Sequence, residues 1–268
     1  MSDNCNHDCE HCASKCSNPT PNDFSVALNP ASKIKKVVAV ASGKGGVGKS
    51  FVTTMLAVQQ MRKGLKVGIL DADITGPSIP SAFGIGTGAY KSDEGIEPAT
   101  TNTGIKIMSL NMLIENPQDP VVWRGPVIAG CVKQFWSDVH WGELDVLFID
   151  MPPGTGDVPL TVFQSIPVDS VVIVSTPQKL VEMIVGKAVK MCSLMDKKVV
   201  ALVENMSYLR CPDCGKSLSV FGRSHAKELA EKFSIPNVAT LPIDPDYASR
   251  IDAGLAEHIE LEGLADIV

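Results

Sequence analysis

An apolar run, Val37-Val38-Ala39-Val40-Ala41, leads into Gly43-Lys44-Gly45-Gly46-Val47-Gly48-Lys49-Ser50, and a helix-forming stretch follows to about Met61. Strand, glycine-rich loop and helix in that order are what a phosphate-binding loop requires. No other feature of the chain restricts its fold as strongly. The glycines let backbone N–H groups turn inward as an anion nest, and the helix adds the positive end of its dipole. Lys49 is expected against the β- and γ-phosphates of ATP, with the Ser50 hydroxyl on Mg²⁺. Gly43, Lys44, Gly45, Gly46, Val47, Gly48, Lys49, Ser50 and the N–H of Phe51 make up the expected nucleotide cradle.

The remaining sequence supplies the sheet such a loop needs. Short, β-branched, nearly all-apolar runs at Val37–Ala41, Val67–Asp71, Ile105–Leu110, Val146–Asp150, Val171–Ser175, Val199–Val203 and Val238–Leu241 read as strands buried on both faces. Helical stretches lie between them at Ser50–Arg62, Pro126–Val139, Leu180–Met195 and Ser224–Phe233. The alternation predicts an α/β fold with a doubly wound, mainly parallel sheet. Three parts are expected: a Cys-rich segment at 1–16, a polar linker at 17–32 and the ATPase domain at 33–268.

The chain of 268 residues carries a net charge of −6, with a pI near 5.4. That balance opposes non-specific nucleic-acid binding, which needs a basic face. No apolar run approaches membrane-spanning length and no signal peptide is recognised, so a reducing cytoplasm is expected. There, eight cysteines point to metal ligands or buried thiols rather than disulfides.

Carboxylates at the carboxyl ends of strands fall near the phosphates in such folds. Asp73 is the candidate to orient or deprotonate the attacking water, with Asp71 supporting Mg²⁺ waters or the loop. Asp150 ends a buried strand at the Walker B position and is expected to hold Mg²⁺. The following Met151-Pro152-Pro153-Gly154-Thr155-Gly156-Asp157 is a candidate switch loop, in which Asp157 is either catalytic or a helix cap. Asn205, after a later strand, offers a donor and an acceptor to a purine edge, or else caps a turn.

Cys211-Pro212-Asp213-Cys214-Gly215 points two sulfurs at one metal, yet structural zinc and iron–sulfur clusters usually take four ligands. Cys131 and Cys192 lie in expected helices and read as core thiols. A two-fold dimer, each protomer donating two cysteines, completes the set. Zinc in the same site and a thioredoxin-type redox pair are the competing readings. Cys5, Cys9, Cys12 and Cys16 can wrap one centre without a partner, with [4Fe–4S] favoured and zinc kept open by His7 and His11.

The chain resembles the Mrp/ApbC iron–sulfur carrier ATPases, including the cytosolic scaffolds with an N-terminal cysteine cluster. The likeness rests on Gly43–Ser50, Asp71-Ala72-Asp73-Ile74, Gly76-Pro77-Ser78-Ile79-Pro80, Trp123-Arg124-Gly125-Pro126, Ile149–Asp157, Glu204-Asn205-Met206-Ser207-Tyr208, Cys211-Pro212-Asp213-Cys214 and Leu241-Pro242-Ile243-Asp244-Pro245. It implies a homodimeric ATPase that assembles a labile [4Fe–4S] cluster and passes it to apoproteins. Cys211 and Cys214 correspond to the family's bridging ligands, and Cys5, Cys9, Cys12 and Cys16 to its N-terminal ligands, with a tighter initial spacing. Lys44 resembles the signature lysine of the deviant Walker A loop, which reaches the nucleotide of the facing subunit. A charge so delivered acts like an arginine finger, worth about 10³–10⁵ in rate.

The sequence departs from the family at Phe51, Thr75 and Gly222-Arg223-Ser224-His225. Phe51 replaces a small hydroxyl residue but keeps its backbone N–H. Rival readings are a MinD/ParA-like positioning ATPase, an electron-transferring reductase and a dimer with purely structural zinc. Against the first, the segment after Arg250 holds no Lys or Arg for an amphipathic membrane anchor.

Overall fold

A computed structural model describes residues 24–73, 78–86, 90–113, 125–178 and 181–268. Cys5, Cys9, Cys12, Cys16, Thr75, Gly76, Pro77, Trp123 and Arg124 lie outside these residues. Among the described residues a nine-stranded sheet forms from β1 (Val37–Ser42), β2 (Val67–Asp71), β3 (Ala99–Thr100), β4 (Lys106–Ser109), β5 (Val146–Asp150), β6 (Ser170–Ser175), β7 (Val199–Arg210), β8 (Ser217–Leu218) and β9 (Asn237–Ile243). The order is β8-β7-β6-β1-β5-β2-β4-β3, with β9 also paired to β7. All pairings are parallel except β3 with β4 and β8 with β7.

Seven helices accompany the sheet among the described residues: α1 (Lys49–Arg62), α2 (Ile79–Ala82), α3 (Gly125–Ser137), α4 (Asp157–Ser165), α5 (Val181–Leu194), α6 (Ala226–Phe233) and α7 (Pro245–Asp252). The period-two alternation of β1 explains why both faces must be covered. Val37, Ala39 and Ala41 join the core formed with α3 to α6. Val38 and Val40 join the opposite core, built with α1, α2 and the segment from Ala256 to Ile267. That last segment clasps α1: Gln59 Nε2 donates to Leu261 O at 2.6 Å, Gln60 Nε2 to Ala265 O at 2.9 Å, and an Arg62 guanidinium nitrogen to Glu257 O at 2.8 Å.

One expectation needed revision. The strand expected at Val199–Val203 continues to Arg210. Its apolar run stops at Glu204, but the backbone passes through a bulge and resumes pairing. Met206 there takes a left-handed φ of 56°, and the register against β9 jumps from Glu204↔Thr240 to Tyr208↔Pro242. The described part of the expected linker lies against the domain. Val26 N donates to Ser165 O at 3.0 Å, and Trp136 Nε1 to Val26 O at 2.9 Å.

Candidate functional site

Parallel register brings the carboxyl ends of β1, β2 and β5 level: Asp150 pairs with Val40 on one side and with Asp71 on the other. The glycine-rich loop leaves β1 above them and turns through Gly46 (φ 74°) and Gly48 (φ 76°), both left-handed. Gly48 is the N-cap of α1. Its neighbours leave no room for a side chain, because a Cβ there would sit 2.2 Å from Asn205 Nδ2. Gly43 is equally confined, since its Cβ would lie 2.2 Å from Ile184 Cγ2 on α5. The loop is therefore wedged between β7 and α5. It lines a cavity of about 310 Å³ with Asp73, Pro153 and Ile251.

Beneath the loop lies a buried charge network. Lys49 Nζ lies 2.7 Å from Asp150 Oδ2 and 3.4 Å from Asp73 Oδ2. Ser50 Oγ donates to Asp150 Oδ2 at 2.6 Å, and Thr53 Oγ1 lies 2.7 Å from Asp150 Oδ1. Asp71 accepts from Asp73 N at 3.1 Å and from Ser109 Oγ at 3.1 Å. Burial raises the Asp71 carboxyl well above the usual carboxylate range. The Asp150 charge pushes the same way, and the opposing pull of Lys49 is smaller.

The expected loop residues, with Lys49, Ser50, Asp73, Asp71 and Asp150, are thus brought together. Asn205 sits beside them, buried, with Nδ2 donating to Val47 O at 3.0 Å. Lys44 is half-buried at the mouth, its ammonium on Gln178 Oε1 of the same chain. The loop after β5 is tied down by Gly154 N donating to Ser42 O at 2.8 Å. The cap of α4 is Gly156, so Asp157 occupies the first turn, where its charge meets the helix dipole. Thr53 was not foreseen. It lies one turn beyond Lys49 and Ser50, and that helical spacing was the available signal. The ring of Phe51 stacks on Tyr247 of α7 with centroids 5.8 Å apart, an anchorage that no local pattern carries.

Cys211 and Cys214 form a turn directly after β7. Cys211 N donates to Lys216 O and Gly215 N to Cys211 O, both at 2.9 Å. Gly215 is left-handed at φ 70°. Cys214 is exposed and Cys211 half-buried. Hydrogen bonds from the backbone N–H groups of Cys214 and Asp213, then from the Cys214 side chain, lower the Cys211 thiol pKa. Cys192 is fully buried and its thiol is pushed up to about 12. Half-buried Cys131 is also raised, by burial. Both read as core thiols, as expected.

A family model described as ParA, the NUBPL iron-transfer P-loop NTPases, matches residues 33–263. An iron–sulfur cluster carrier protein of Clostridium perfringens is 45% identical over 270 residues, covering 95% of this chain and 95% of that one. The cytosolic Fe–S cluster assembly factor CFD1 of Saccharomyces cerevisiae is 40% identical over 227 residues, covering 82% of this chain and 78% of its own. A solved nucleotide-binding protein of Archaeoglobus fulgidus in complex with ADP superposes with a TM-score of 0.78 at 47% identity, covering 85% of this chain and 90% of the other. With the phosphate loop, the level carboxylates and the parallel sheet in place, this chain belongs to the ParA family of NUBPL-type iron-transfer P-loop NTPases.

Proposed function

We propose that this protein is an ATP-hydrolysing iron–sulfur cluster carrier that works as a homodimer, assembling a [4Fe–4S] cluster and delivering it to apoproteins in the cytoplasm. The observation that carries this reading is the exposed Cys211–Cys214 turn. It presents two thiols at the end of a strand that also touches the phosphate loop, in a chain whose relatives are named cluster carriers. Two thiols are half of a cluster's usual ligand set, and a second protomer supplies the rest. Cys5, Cys9, Cys12 and Cys16 are proposed to hold a second cluster.

The oxygen donors present suit Mg²⁺, a hard cation. Ser50 and Asp150 would hold it, and the ion would neutralise charge on the β- and γ-phosphates of ATP. Lys49 turns from Asp150 towards the phosphates, and Asp73 orients the attacking water. Asp71 supports this loop from below through Asp73 N. The N–H groups from Gly43 to Phe51 cradle the phosphates. With Nδ2 occupied by Val47, recognition of the base by Asn205 falls to Oδ1. Lys44, half-buried at the mouth, reaches the nucleotide of the facing subunit. The net charge of −6 does not favour nucleic acid as a partner. Among the described residues no helix is long and apolar enough to cross a membrane, and the yeast relative is a cytosolic factor.

The test is anaerobic purification with iron, sulfide and zinc analysis of the wild type, Cys211→Ser and a Cys9→Ser/Cys12→Ser double variant. Iron and sulfide are expected in the wild type, with a separate part lost in each variant. Zinc in place of iron in all three preparations would replace this reading with a structural metal.

A further inference from the structure

We propose that β7 carries the state of the nucleotide site to the cysteine pair, with Met206 and Ser207 as the positioning residues of that relay. The inference rests on the function proposed above and adds its physical route.

One strand touches both sites. At Asn205 it donates to Val47 O in the phosphate loop. The adjoining Met206 packs on the same spot: the point where a Gly48 Cβ would stand is 3.8 Å from Met206 Cε. Any movement of Val47 and Gly48 around phosphates therefore meets two consecutive residues of β7. The strand then resumes at Tyr208–Arg210, held by β9 at Pro242 and Ile243 and by β8 at Ser217 and Leu218. Cys211 is the next residue. Such a strand transmits a displacement along its axis rather than absorbing it.

The bulge between these contacts has the character of a two-position element. Met206 holds a left-handed φ of 56° without being glycine, a conformation kept only where the surroundings impose it. Ser207 Oγ donates to Glu204 Oε1 at 2.7 Å and braces the bulge. Glu204 is fully buried, yet its Oε2 has no hydrogen-bond partner among the described residues. The same holds for Ser175 Oγ and Thr176 Oγ1 at the end of β6, where Ser175 is the register partner of Glu204. Buried polar groups are ordinarily satisfied. Three orphans on Glu204 and the neighbouring end of β6, with a strained residue two positions along, mark a packing that a second arrangement can better. Ligand contacts made in only one arrangement then shift the balance between them.

The experiment uses the full-length apoprotein, reduced and anaerobic. The rates of iodoacetamide alkylation of Cys211 and Cys214 are read by peptide mass mapping without nucleotide and at saturating ADP. Wild type is expected to change by about fivefold or more, the scale of ordinary site-to-site coupling. Met206→Gly relieves the strained φ and removes the contact with the loop. Ser207→Ala removes only the brace. At least one of them is expected to bind ADP and yet lose most of the response. Equal wild-type rates with and without ADP would overturn the relay, while the iron content tested above would stand. A full response in both variants would show that the signal travels by another route.

Discussion

Replacing Lys49 with alanine should destabilise the nucleotide-free protein, quite apart from its effect on ATP. Lys49 is 5% exposed and Asp150 wholly buried, with 2.7 Å between the charges. Removing one partner of such a pair costs about 3–5 kcal/mol, because the other charge stays buried without compensation. Asp150 would keep the Ser50 and Thr53 hydroxyls, so the cost should lie near the lower bound, about 3 kcal/mol. For a domain of this size each kcal/mol moves Tm by about 2–4 °C, a fall of about 6–12 °C. The assay is thermal unfolding by circular dichroism without nucleotide and with EDTA. Lys49→Ala/Asp150→Asn supplies the control: with the orphaned charge gone, the double variant should melt above Lys49→Ala. A Lys49→Ala protein melting within about 2 °C of wild type would refute a buried network dependent on Lys49.

Two further outcomes follow from the loop and the thiols. Ala at Gly46 meets only the left-handed backbone penalty, about 1–2 kcal/mol, since a Cβ there has nothing within 4 Å. Ala at Gly48 adds the collision with Asn205 Nδ2, so calorimetry should show ADP binding weakened at least tenfold more, roughly 1.4 kcal/mol, by Gly48→Ala than by Gly46→Ala. In the folded apoprotein, Cys211 should alkylate at lower pH than an ordinary thiol because its pKa is lowered. Cys192, with its thiol pushed up to about 12, should stay unlabelled until the protein unfolds, and prompt labelling of Cys192 would contradict its burial.

The parts of the fold that were legible in sequence are those where chemistry repeats locally. All-apolar runs such as Val146–Asp150 and the glycine-rich loop each announce themselves within a few residues. Their placement together follows from a parallel sheet aligning its carboxyl ends, so Lys49, Asp71, Asp73 and Asp150 meet as expected. What escaped depends on the partner rather than the segment. The continuation of β7 past Glu204 is dictated by β9 and β8, not by its own polar residues. Of the helix that opens at Asp157 only the start is legible, because Pro159 inside its first turn, where proline is tolerated, obscures the rest of the pattern. The short strand Lys33–Ile34 exists only because Glu143–Leu144 lies beside it. The role of Asn205 is only half visible in sequence, since its bond to Val47 spans 158 residues.

The clasp of residues 256–267 over α1 has a consequence for how the protein is made. These residues leave the ribosome after every strand of the sheet. Until they do, the outer side of the helix that begins at the phosphate loop lacks its cover, and Gln59 and Gln60 lack their carbonyl partners. Domains fold as units during synthesis, with their early parts emerging first. The nascent chain can thus form its sheet before it owns a rigid nucleotide helix. Competence to hold ATP should arrive only after residues 256–267 have been added and have closed over the helix.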